Sequence, residues 1–213
     1  SEMFKNSLPG VPFIESPFFN SIFKSEQQND PEFYRIASEL NSKGFAIIQF
    51  PDKDFDQKAE NIKHELYEYY DWKAHKKNPK ISLRVQDAWK FNDDVKSLAV
   101  NETVLNLLEK LYGRKPIPFQ TLNFPIGTQQ HFHTDSVHFS CIPERFMCGV
   151  WVALEDVEVD AGPLEYYPGS HKWPIYTNEH MGISVSAKNK INQTFYHDTW
   201  TCLLYTSPSP RDQ

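Results

Sequence analysis

The chain has 213 residues, with 28 acidic against 22 basic side chains and a formal charge of −6. That length suits one domain with a real core, and the absence of any basic stripe argues against nucleic acid as a partner. Aromatic residues make up 15% of the chain (16 Phe, 10 Tyr and 5 Trp), which favours packed, strand-rich structure over disorder.

Residues 1–30 read as an irregular arm carrying Pro9, Pro12 and Pro17. Residues 1–23 lack the basic segment followed by an apolar core that marks a signal peptide. Asp30-Pro31 then opens a helix, with Asp30 as cap and Pro31 at the first position. Phe33, Ile36, Ala37 and Leu40 keep helical spacing to Lys43, and Gly44 stops it. Residues 45–50 read as a buried strand. A second helix is expected over 54–76, from Phe55, Ala59, Ile62 and Leu66, until Asn78-Pro79 breaks it. Lys73, Lys76, Lys77 and Lys80 read as its solvated end. A short strand over 81–85 precedes a third helix, capped by Asp93 or Asp94 and running to Tyr112, with Gly113 as its stop. From Pro116 the pattern turns to strands at 119–124, 129–133, 147–154 and 164–167, separated by Gly, Pro and Asp turns. The expected fold is therefore α+β, mainly β in its second half: a β-sandwich or small barrel with N-terminal helices packed on one side.

Cys141, Cys148 and Cys202 make no disulfide framework and match no zinc spacing. Cys148, inside an apolar run, reads as a small core residue. No run is long enough to cross a bilayer. These features lead to the expectation of a cytoplasmic protein with no membrane partner.

The chemistry concentrates in His131-Phe132-His133-Thr134-Asp135. On a strand, residues two apart share a face, so His133 and Asp135 would point the same way. Together they supply two ligands of a 2-His-1-carboxylate site, the arrangement that holds non-heme Fe(II) and leaves positions open. Polar neighbours (Gln129, Gln130, Thr134, Ser136) stand where a plain core strand would be apolar. Taken alone, such a pair is more often an ordinary polar contact than a metal site.

Further along come Cys148-Gly149-Val150-Trp151-Val152-Ala153-Leu154-Glu155-Asp156-Val157, then Gly162-Pro163-Leu164, then Pro168-Gly169-Ser170-His171. This ordered set, spanning about residues 120–174, resembles the phytanoyl-CoA dioxygenase family of Fe(II)/2-oxoglutarate-dependent oxygenases. The helix closing in Leu111-Tyr112-Gly113 is also similar. The resemblance implies a double-stranded β-helix, a jelly-roll of cupin type. It implies Fe(II) on His133 and Asp135, 2-oxoglutarate as co-substrate with its far carboxylate on an arginine, and O2 as oxidant. The implied reaction hydroxylates a small organic substrate and releases succinate and CO2. Gln120, with Asn123 beside it, lies where a polar side chain of the family can contact 2-oxoglutarate. Trp151 is expected in the core or a pocket wall, Phe132 and Phe139 in packing, and His171 in a turn.

The family's second histidine ligand sits on a late strand, followed by the arginine. Here His197, with Arg211 beyond it, is the nearest match, and a loose one. Residues 201–213 resemble translated adapter sequence, so the expectation is a fragment ending near Trp200, missing its last strands and of doubtful activity as it stands. Two other classes stay open. One is a metal-binding cupin (isomerase or sensor) with an all-histidine site drawn from His131, His133, His138 and His171. The other is a non-catalytic jelly-roll binding module.

Overall fold

A computed structural model describes residues 8–127, 130, 132–135, 139 and 141–174. They fall into two compact units. The first takes the residues up to Ile47, Gln130–Gly149 and those from Tyr166 on; the second takes Ile48–Gln129 and Val150–Glu165.

In the first unit the described part of the arm, residues 8–30, is not wholly irregular. It forms a 3-10 turn at Phe13–Glu15 and two short helices, α1 (Phe19–Phe23) and α2 (Glu26–Asn29). Aromatic packing explains the order: Phe19 and Phe23 are buried, with ring centroids 4.8 Å apart, and Phe23 meets Phe33 at 5.7 Å. Helix α3 (Pro31–Lys43) starts where its signals place it, with the Asp30 carboxylate accepting from the Phe33 N–H at 3.0 Å. It buries Phe33, Ile36 and Ala37 on one face. Gly44 ends it in the left-handed region at φ 87°, and its N–H reaches Leu40 O at 3.0 Å.

In the second unit the expected helix over 54–76 is split. Helix α4 (Phe55–Leu66) passes into a 3-10 turn at Tyr67–Tyr69, and α5 (Trp72–Lys77) starts afresh under its own Asp71 cap. The expected helix over 93–112 is likewise two, α6 (Asp93–Ala99) and α7 (Glu102–Tyr112). Asn92, not Asp93 or Asp94, caps the first, accepting from Val95 N–H at 2.8 Å. Asn101 caps the second, accepting from Val104 N–H at 3.1 Å, and this competing cap interrupts the continuous apolar spacing. Asn101→Ala is expected to cost about 1 kcal/mol (range about 0.5–2), and Asn101→Asp, which keeps the acceptor, only tenths of that. Urea unfolding of both variants measures it.

The second unit's core is the cluster Ile62, Leu66, Val85, Ala88 and Val95, with Tyr70, Trp89, Leu98 and Leu154 against it. Strands β1 (Val85–Gln86) and β2 (Leu122–Asn123) pair antiparallel in the register Val85↔Asn123 and Gln86↔Leu122. Asp87 then adopts φ 56° and gives its N–H to Thr121 O at 2.8 Å. This pair forms the sheet found among the described residues. Residues 45–50, 81–84, 119–121, 147–154 and 164–167, expected as strands, carry no ladder there. A strand needs a neighbour to satisfy its backbone groups, and alternation in one segment does not supply that neighbour. Cys148 is half-exposed and not the core residue expected, and Trp151, at 56% exposed, is not in the core, the first of the two places expected for it.

Candidate metal centre

His133 and Asp135 lie in the first unit, and their side chains converge: His133 Nε2 stands 3.3 Å from Asp135 Oδ1. The expected strand is not what joins them. The chain bends at Phe132, His133 and Thr134 are irregular, and Asp135 takes helical backbone. With Asp135 in helical and not extended backbone, the alternation of a pleat is not what brings nitrogen and oxygen together.

Two readings fit that distance. One is a plain imidazole–carboxylate contact. The other is a pair of donors to one cation. Donors about 2.1 Å from a shared ion and at right angles stand about 3.0 Å apart, so the observed 3.3 Å fits with little adjustment. An imidazole nitrogen with a carboxylate oxygen is also the donor chemistry that suits iron, manganese or zinc. The side chains are 23% and 49% exposed, so both remain accessible. Among the described residues, no group of three or more His, Cys, Asp and Glu side chains comes together to hold a metal.

The surroundings fix this segment on one side and leave it open on another. Phe132 meets Tyr167 edge-on, with centroids 4.7 Å apart. Tyr166 donates its hydroxyl to Gly44 O at 3.2 Å and packs on Phe45 at 5.0 Å. Burial pushes the Tyr166 phenol above the usual range, so it keeps its proton as a donor at neutral pH. At Gly149 an added Cβ would lie 3.5 Å from Asp135 Oδ2. Glycine there leaves the second carboxylate oxygen without a side-chain wall on that side.

The other candidate residues are spread more widely. Gln120 belongs to the second unit and is half-buried, just before β2. Asn123, on β2, has a buried Oδ1 with no hydrogen-bond partner among the described residues. His131, His138, His197 and Arg211 lie outside the described residues. His171 turns both ring nitrogens toward the end of α3. Its Nε2 is 3.1 Å from Asn41 O, and its Nδ1 is buried against Gly44. Nε2 is thus engaged by the helix end, while the buried Nδ1 has no hydrogen-bond partner among the described residues.

Arg145 was not foreseen. It reaches Glu15 Oε2 at 3.0 Å and His171 O at 2.7 Å, tying three 3-10 turns (Phe13–Glu15, Glu144–Phe146 and Ser170–Lys172) together. A single arginine after Pro143 carries no periodic signal that could have announced this.

Comparison with known proteins agrees with the motif order. The family described as "Phytanoyl-CoA dioxygenase (PhyH)" matches residues 30–201. Among curated proteins, a "Phytanoyl-CoA dioxygenase domain-containing protein 1 homolog" from Caenorhabditis elegans is 28% identical over 79 residues. That match covers 35% of this chain and 27% of the relative, so the chain spans about a quarter of that protein's length. No solved structure matches. Because the family match takes in most of the sequence, the chain belongs to the phytanoyl-CoA dioxygenase family, a family of Fe(II)/2-oxoglutarate-type oxygenases with a cupin-like fold.

Proposed function

We propose that the protein is an Fe(II)- and 2-oxoglutarate-dependent dioxygenase that hydroxylates a small organic substrate and releases succinate and CO2. The observation that carries this reading is the 3.3 Å approach of His133 Nε2 to Asp135 Oδ1, within the motif order of the family. In this reading these two residues hold the iron, and the third protein ligand falls outside the described residues, where His197 is the candidate. The same reading gives the second half of the chain the double-stranded β-helix, Gln120 a contact to 2-oxoglutarate, and the protein a cytoplasmic setting.

Bound iron, with 2-oxoglutarate and O2, supplies the oxidising power for C–H hydroxylation. The chain's own residues do the rest. His133 must be neutral to donate its nitrogen and Asp135 ionised to donate its oxygen, so metal affinity falls with acid. Tyr167 backs Phe132 and so limits how far the neighbouring His133 can drift. The open side at Gly149 leaves room beside the carboxylate.

The test is anaerobic titration of the purified chain with Fe(II) and 2-oxoglutarate, followed by O2. Saturable iron binding and succinate formation are expected. Absence of both in a chain that extends through a second ligand histidine and the arginine would sink the proposal and favour a non-catalytic binding module.

A further inference from the structure

In the reading above His171 does not hold iron, yet its ring is held on two sides within the first unit. Its Nε2–H donates to Asn41 O at 3.1 Å, and Asn41 in turn gives its amide to Ile14 O at 2.6 Å. The ring lies on Gly44: a Cβ built there would meet His171 Nδ1 at 2.5 Å and Cγ at 2.7 Å. Beside it Gly169 N–H reaches Lys43 O at 2.7 Å, and Arg145 holds His171 O at 2.7 Å. The turn carrying His171 is thus seated on the C-terminal end of α3, and Tyr167, in the same turn, carries Phe132.

We propose that His171 is a positioning residue: a neutral imidazole that seats the turn 166–173 on the end of α3, steadies the His133–Asp135 segment through Tyr167 and Phe132, and releases it on protonation. The inference deepens the reading above, because the segment it steadies is the one proposed to hold iron.

The geometry determines the direction of the pH response. Neutral His171 needs one acceptor, and Asn41 O provides it. Protonation puts a second N–H on Nδ1, which is buried with no acceptor among the described residues. The charged groups around it do not rescue that proton. Glu15 is committed to Arg145 at 3.0 Å, and Lys43, at the end of α3, is paired with Glu39 at 3.1 Å. Lys172 and Arg145 oppose a further positive charge. Burial lowers the His171 pKa, and the Asn41 carbonyl and Glu15 pull it back in part. The unfolded chain therefore binds this proton more readily than the folded one. The seat is intact above the unfolded value of about 6.5 and is lost as pH falls from there through the folded value.

The experiment uses the full chain without metal. Ring-nitrogen NMR follows His171 titration, the Phe132–Tyr167 ring NOE reports the coupling, and thermal midpoints are taken at neutral and mildly acidic pH. His171→Gln keeps a nitrogen donor for Asn41 O and cannot titrate. The native chain is expected to titrate below the ordinary histidine value, to lose the ring NOE on acidification and to drop its midpoint. The Gln variant should keep both across the range. Gly44→Ala, which pushes the ring off its seat, should lose the NOE already at neutral pH. A titration at or above the ordinary value, or the same acid response in the native and Gln forms, overturns the proposal. If the variants do not fold, the native titration still decides. Every readout is metal-free, so its failure leaves the iron reading standing, and failed iron binding leaves this one standing.

Discussion

Asp135→Ala is expected to abolish 2-oxoglutarate decarboxylation and to cut Fe(II) affinity by more than the roughly 10–100-fold that a change in a ligand's supporting partner costs. The carboxylate is the anionic half of the pair that meets at 3.3 Å, and His133 alone leaves an imidazole with no charge to offset a dication. The fold should barely notice. With Asp135 half-exposed at 49%, its removal belongs with surface substitutions, which change stability by about 0.5 kcal/mol or less. The informative result is therefore a split: succinate formation and iron binding lost, thermal midpoint kept. Asp135→Asn sharpens it, because the amide keeps the oxygen and the size but not the charge. If Asp135→Ala still makes succinate from 2-oxoglutarate, the ligand assignment is wrong. Metal binding without turnover in that variant would point back to an all-histidine site.

The sequence shows best what is decided locally. Helix α3 could be read because its cap, its first proline, its apolar stripe and its terminal glycine all lie within 15 consecutive residues, Asp30 to Gly44. Strands could not, because alternation describes one segment while a ladder needs a second, and residues 45–50 and 147–154 have none among the described residues. The helix over 93–112 failed for a different reason. Its apolar spacing continues through the break, and only the side chain of Asn101, bonding its own backbone, stops it. At the site, residue types and spacing picked out His133 and Asp135, but for a reason that does not hold: Asp135 has helical backbone, so the two do not share the face of a pleat. The contacts that hold the first unit together were illegible. Arg145 and Glu15 lie 130 positions apart, as do His171 and Asn41, and no local pattern encodes such a pairing.

Leu66→Ala carries a large expected stability loss in the second unit. Leu66 is 1% exposed at the end of α4, inside the cluster with Ile62, Val85, Ala88 and Val95. Removing its three outer carbons forfeits their transfer free energy and leaves a hole, together about 2–5 kcal/mol. The cluster's ability to close that hole decides where in the range the value falls. Ala88, at 0% exposure, already has no bulk to move inward, whereas Tyr70 and Leu98 at the margin can shift. Leu66→Met nearly conserves volume and should cost less than about 1.5 kcal/mol. The loss of the Asn101 cap, at about 1 kcal/mol, is the yardstick for a local effect in the same unit. The measurement is urea unfolding of the three variants side by side. The expected order is Leu66→Ala well below the other two, and an alanine variant no less stable than Asn101→Ala would show that Leu66 does not carry the core assigned to it.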